Sequence, residues 1–228
     1  MGGPQCVPPG AAQISDRLAE LSGDPAVHGV VCQTPLPAGA TLAQVGAAIP
    51  VTKDVDGANP ASLGGLAAGL PDVFAPATAA AVLQILRHER VALSGRRAVV
   101  VGRSTVVGKP VALLLLAEHA TVTVAHSRTA DLPAVCREAD ILVAAAGRPK
   151  LIGADHVRPG AVVIDVGTTP TETTDGTGGG GLAGDVDAAA VTGIASVLTP
   201  VPGGVGPVTT AVLMQHTLAA AARAAGPD

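Results

Sequence analysis

Between residues 98 and 198 the chain repeats one pattern: a short apolar run rich in Val and Ile, a turn, and a stretch of helical character. The runs cover residues 98–101, 121–125, 141–145, 161–166 and 195–198, each bounded by Gly, polar or charged residues. Unbroken apolar runs of this length suit strands buried on both faces of a parallel sheet. Helix candidates at 109–119 and 130–139 lie between them, so the spacing predicts βαβ units and a Rossmann-type, doubly wound α/β sheet. Parallel neighbours need a crossover over the face of the sheet, which leaves few other architectures open.

The flanks are less regular. Residues 12–21 put Ile14, Leu18 and Leu21 on one helical face, and residues 27–32 read as a strand. That strand runs into Gln33-Thr34-Pro35-Leu36-Pro37, where two prolines rule out both helix and ladder. Residues 41–49 and 78–88 are helical by pattern, and an Ala-rich helix starts at Pro207, taken as its first residue. Residues 168–181, with four successive glycines, read as a flexible surface turn, a lid being the minor alternative.

Composition narrows the class further. A chain of 228 residues, 48% hydrophobic and 14% charged, folds and buries a core. With one Phe and neither Tyr nor Trp, aliphatic side chains must fill that core. A net charge of -4 without any basic run argues against nucleic acid as a partner. The start lacks a basic and apolar leader, and the longest apolar run, 111–117, is too short to span a bilayer, so no membrane partner is expected. Cys6, Cys32 and Cys136 form no C-x-x-C pair and the six His show no ligand spacing, which suggests a reducing cytoplasm and no metal site.

Residues 99–110 read as a strand, a turn and a helix start. Gly102 and Gly108 permit close backbone approach, and the helix N-terminus offers N–H groups to an anion. The spacing is not G-x-G-x-x-G, so a plain βα turn accounts for it equally well by itself. The next strand end says more. It closes in His126-Ser127-Arg128-Thr129, without the acid that would hold an NAD ribose. Arg128, Ser127 and Thr129, with Arg103 and Ser104 across the turn, suit a 2′-phosphate, so the expected cofactor is NADP. Asp131 reads as the cap of the following helix.

Four segments in order resemble one family. They are the Gln33–Pro37 loop, Lys53-Asp54-Val55-Asp56-Gly57, the Gly102-Arg103-Ser104 to Gly108-Lys109-Pro110 loop, and Pro202-Gly203-Gly204-Val205-Gly206-Pro207. Together they are similar to the methylenetetrahydrofolate dehydrogenase/methenyltetrahydrofolate cyclohydrolase family, with Val208 where the family motif has Met. The resemblance implies oxidation of 5,10-methylenetetrahydrofolate with NADP, hydrolysis of the methenyl product to 10-formyltetrahydrofolate, and a homodimer. It implies a folate-binding α/β catalytic domain over residues 1–90, an NADP domain over 91–205, and a C-terminal helix over 206–228 returning to the first.

It also implies the site residues. Asp56 would accept hydrogen bonds from the pterin edge, as a carboxylate accepts two N–H donors. Gln33 would support the family's catalytic lysine, although a Gln after a strand is also an ordinary loop residue. Pro202, Gly203, Gly204 and Pro207 would shape the substrate side, and Thr168 would join the cofactor contacts. Asp54 reads as a turn former. The family's Y-x-x-x-K motif has no counterpart, since the chain has no Tyr and its first lysine is Lys53. An incomplete chain, a short paralogue that binds NADP, folate or a partner subunit without efficient turnover, and another lysine such as Lys53 taking over remain open readings. Loss of that helix and its strand would leave an apolar face of the first domain uncovered. A shikimate-dehydrogenase-like plan shares the two domains but not these loops.

Overall fold

A computed structural model describes residues 10–171 and 181–226, so Cys6 and the glycine-rich stretch at 172–180 lie outside the described residues. The chain divides into two compact units, one built from residues 1–77 and 213–228 and one from residues 78–212.

The second unit carries the expected sheet. Strands β1 (Arg97–Val101), β2 (Thr121–Ala125), β3 (Ile141–Ala144), β4 (Val162–Asp165) and β7 (Val197–Leu198) pair in the order β2-β1-β3-β4-β7. All four pairings are parallel. Val99 faces Leu142, which faces Val163, and these side chains sit in one buried cluster with Val101, Ala144 and Cys136. The alternate residues Ala98, Val100, Ile141, Val143 and Ile164 are buried as well, as strands covered on both faces require. The edge strands differ: β2 exposes Thr121, Thr123 and Val124, and β7 is only partly buried.

The crossovers include α5 (Gly108–Ala117), α6 (Leu132–Arg137) and α7 (Ala188–Val191). α6 is capped by Asp131, whose side chain accepts from the Ala134 N–H at 3.2 Å. From β1 the chain moves out to β2 and then returns to the other side of β1. The two directions part between β1 and β3, the topological switch point where ligands of such sheets bind at the carboxyl ends. Of residues 168–181, read as a flexible turn, the part at 172–180 lies outside the described residues. The described ends fall in strands β5 (Thr169–Thr171) and β6 (Gly181–Ala183), which pair as an antiparallel ribbon.

The first unit contains α1 (Ala11–Gly23), α2 (Leu42–Gly46) and α3 (Pro60–Ala67), and α4 (Ala77–His88) begins at its border. Leu18, Val30, Val45, Ile49 and Ala58 form one core cluster here. Residues 27–32 do not make the expected strand. They form one parallel bridge, Val30 to Asp54, with the Val30 N–H donating to the Lys53 carbonyl at 2.8 Å. The ladder stops because residues 53–57 turn on themselves through bonds from Val55 to Lys53 and from Gly57 to Asp54.

The last helix, α8 (Val205–Ala225), starts two residues before Pro207. Proline is tolerated there because N–H groups in the first turn have no helical partner. Thr209 consequently lies inside the helix, its hydroxyl donating to the Val205 carbonyl at 3.1 Å. Leu70, Met214 and Leu218 are exposed large apolar side chains of the first unit. Among the described residues no helix is long and apolar enough to cross a membrane.

Candidate functional site

The switch point opens into a cavity of about 300 Å³ lined by Gly102, Arg103, Ser104, His126, Ser127, Thr129, Ala145, Ala146 and Arg148 among others. Its floor depends on two glycines. Gly102 has φ +138, and a Cβ there would sit 2.1 Å from the Ala145 carbonyl oxygen. A Cβ on Gly108 would sit 2.3 Å from the Gly102 oxygen. Both positions therefore require glycine, and both lie where the ends of β1, β3 and α5 converge.

The start of α5 departs from expectation. Its first amides are already engaged. The Ser104 hydroxyl oxygen accepts from the Val107 and Gly108 N–H groups at 3.1 and 3.3 Å. The Ser104 carbonyl accepts from Lys109, and Pro110 has no N–H. An anion here would meet the Arg103 and Arg148 side chains and the Ser104 O–H rather than free helix amides. Across the cavity the turn after β2 is tied by the His126 N–H, which donates to Thr129 Oγ1 at 2.8 Å. His126 Nδ1 accepts from the Arg128 N–H at 3.2 Å, leaving Nε2 as the ring donor when neutral. The Arg128 side chain is exposed and does not line the cavity.

A second cavity, about 370 Å³, lies at the ends of β4 and β7. Thr168, Pro202, Gly203, Gly204 and Pro207 line it, together with Asp165, Leu182 and Thr209. Gly204 packs against the chain before it, where a Cβ would meet the Pro200 oxygen at 2.4 Å. The Val201–Pro202 peptide bond is cis.

Asp165 and Asp185 support both cavities. Each is almost fully buried, with relative exposures of 3% and 0%. Asp165 accepts from the Gly167, Asp185 and Val186 N–H groups, each at 2.9 Å. Asp185 accepts from Ala146, Gly147 and Arg148 at 2.6, 2.9 and 2.8 Å. Burial pushes the Asp165 carboxyl above its ordinary value, against the pull of its three N–H donors, and the charge of Asp185 adds to the rise.

In the first unit Asp56 is half-buried and accepts from the Ala77 N–H at 3.3 Å. Burial raises its pKa, the Ala77 bond pulls it back, and the Asp54 charge raises it further. Asp54 has the turn role. It is fully buried and accepts from the Ala58 and Asn59 N–H groups at 2.8 and 2.9 Å and from the Ser62 hydroxyl at 2.5 Å. The Gln33 side chain is exposed. Lys53 is occupied elsewhere, since its Nζ donates to the Ser22 and Asp24 carbonyls at 2.8 Å each, at the end of α1.

Residues 76–225 match the family model described as tetrahydrofolate dehydrogenase/cyclohydrolase, NAD(P)-binding domain. A Bifunctional protein FolD from Parafrankia sp. is 64% identical over 209 residues, which cover 92% of this chain and 73% of that protein. The chain belongs to the tetrahydrofolate dehydrogenase/cyclohydrolase family.

Solved members of the tetrahydrofolate dehydrogenase/cyclohydrolase family share its fold. The FolD of Trypanosoma brucei, solved with NADP cofactor and inhibitor, superposes with a TM-score of 0.90 at 38% identity, covering 96% of this chain and 75% of the other. The Campylobacter jejuni enzyme gives 0.88 at 37%, over 96% and 74%. Within this family frame, sequence reasoning missed three residues that line or build the cavities: Arg148, Asp165 and Asp185. Arg148 and Asp165 stand at or just after the ends of apolar runs, but that local mark does not say which buried network a residue joins. In the fold Asp165-Val166-Gly167 and Gly184-Asp185-Val186 mirror each other, with the glycines where a Cβ would strike the opposite aspartate.

Proposed function

We propose that this chain is an NADP-dependent methylenetetrahydrofolate dehydrogenase/methenyltetrahydrofolate cyclohydrolase. Its substrate 5,10-methylenetetrahydrofolate loses a hydride to form the methenyl cation. Addition of water to that cation then opens the ring to 10-formyltetrahydrofolate and releases a proton. NADP, when bound, supplies the hydride acceptor.

The observation that carries this reading is the first cavity at the switch point, with two obligatory glycines and no acid at the end of β2. Gly102, Arg103, Ser104, Ser127 and Thr129 would hold the adenosine side, Gly108 lets α5 approach the turn, and Arg128 and Arg148 add positive charge at its edge. Thr168, Pro202, Gly203, Gly204 and Pro207 would line the nicotinamide and pterin side. Asp56 would accept the pterin N–H donors, and Gln33 would orient a proton-handling group.

A second reading, binding of NADP and folate without efficient turnover, is favoured by one observation. Lys53 donates its ammonium to two backbone carbonyls. One assay separates the two. Mixing the protein with NADP and 5,10-methylenetetrahydrofolate produces NADPH absorbance at about 340 nm if it turns over. Calorimetric NADP binding without that absorbance supports the second reading, and no cofactor binding overturns both. We further propose a homodimer joined through the dinucleotide half, as the family resemblance implies, and a reducing cytoplasm, as the cysteine spacing suggests. Sedimentation gives the oligomeric state.

A further inference from the structure

We infer that Asp165 and Asp185 form a two-step carboxylate relay that positions the loop under the adenosine half of the cofactor from the strand end beside the nicotinamide half. The inference rests on the NADP reading of the two cavities. Neither aspartate has a part in the reaction as proposed.

The relay is continuous in the structure. At the end of β4, Asp165 holds the backbone of Asp185 and Val186 through both of its carboxylate oxygens. Asp185 in turn holds three consecutive amides, Ala146, Gly147 and Arg148, just after β3. Two further bonds lace the same segments, from Lys150 to the Gly184 carbonyl at 3.0 Å and from Ile152 to the Asp185 carbonyl at 2.9 Å. Asp165 lines the second cavity, while Ala146 and Arg148 line the first. The Asp165 N–H also donates to Thr199 Oγ1 at 2.8 Å, which ties the relay to the chain that leads into residues 200–204.

Chemistry selects aspartate at both places. A carboxylate accepts through both oxygens, and each of these almost fully buried side chains meets three backbone N–H donors. An amide side chain would present an NH₂ group to at least one of those donors, leaving buried groups unpaired. Gly184 and Gly167 keep the approach open, because a Cβ on Gly184 would lie 1.9 Å from Asp165 Oδ2 and one on Gly167 would lie 2.5 Å from Asp185 Oδ1.

The test uses Asp165→Asn and Asp185→Asn in the full chain, with circular dichroism to establish that each folds. Calorimetry is run with NADP and with adenosine 2′,5′-bisphosphate, a fragment that reaches only the first cavity. Asp185→Asn should weaken both ligands at least tenfold. Asp165→Asn should weaken the fragment by a similar factor, although Asp165 does not line the cavity that takes it. The double variant should be little worse than the weaker single one, as expected for two links of one chain. Where turnover is measured, Asp185→Asn raises KM for NADP at least tenfold while KM for the folate stays within twofold, since Asp185 lines neither cavity. A fragment affinity within twofold of wild type in folded Asp165→Asn overturns the relay.

If Asp165→Asn does not fold, amide hydrogen exchange in the unaltered protein decides. The amides of Ala146, Gly147 and Arg148 should be as protected as those of Asp185 and Val186. Free exchange at 146–148 beside protected 185–186 overturns the relay. That measurement needs no cofactor, so a wild-type chain that binds neither ligand refutes the NADP reading while exchange still judges the relay.

Discussion

At the scale of a single residue, one methyl group separates a working cofactor turn from a blocked one. Gly102 and Gly147 both have positive φ, at +138 and +65, but only Gly102 faces backbone where a Cβ would go. Gly147 has nothing within 4 Å of that position. Gly147→Ala should therefore cost only the left-handed backbone preference, about 1–2 kcal/mol of stability. Gly102→Ala must also push the Ala145 carbonyl away, so its NADP affinity should fall at least tenfold by calorimetry, with a larger drop in Tm. Equal behaviour of the two variants would show that the end of β3 yields easily and that the glycine has no special role. Gly102 and Gly108 were legible in the sequence because a glycine directly after an apolar run marks a tight turn at a strand end, and a second one ahead of a helix marks close packing against that turn. Asp165 and Asp185 were not, since nothing in a linear chain says that two carboxylates twenty residues apart will share one buried network.

At the scale of elements, legibility followed the number of neighbours a segment needs. β1, β3 and β4 were readable because burial on both faces leaves a run with no polar residue before its end. Residues 27–32 are interrupted by His28 and Gly29 and found one bridging partner, because the K-D-V-D-G turn folds back before a ladder can extend. α3 went unread since Asn59-Pro60, which caps and starts it, also marks ordinary loops. Lys53 belongs to this scale too. Its ammonium satisfies carbonyls at the end of α1, where a positive charge also favours the helix dipole. Lys53→Met should thus lower stability by about 1 kcal/mol, seen as a fall in Tm, and leave kcat/KM within twofold. A folded variant that has lost turnover would instead make Lys53 the proton-handling group and reduce capping to a side effect.

At the scale of the molecule, the division between the two units falls inside α8, between residues 212 and 213, and its uniform Ala-rich sequence gives no sign of it. What fastens the end of the helix is a small polar and aromatic stack. His216 Nδ1 lies 2.8 Å from the Val55 carbonyl and, since a carbonyl only accepts, carries the proton. Its ring lies 4.8 Å from Phe74, and Arg223 covers that ring at 4.6 Å while donating to the Asp72 carbonyl at 3.0 Å. Burial lowers the His216 pKa from 6.5, the Val55 bond opposes this, and the Arg223 charge adds to the lowering. The unfolded chain therefore binds a proton at His216 before the folded chain does as pH falls. Stability from this residue is complete above about pH 6.5 and is lost as pH drops below it toward the folded-state value. His216→Leu removes the titration and leaves the Val55 carbonyl unpaired, so it should cost about 1–3 kcal/mol at pH 8. Between pH 7 and 5 its stability should fall less steeply than that of wild type, because one source of proton uptake on unfolding is gone. Parallel Tm curves for the two proteins across that interval would mean that His216 is protonated as readily in the folded chain as in the unfolded one, and the stack would then owe nothing to a neutral ring.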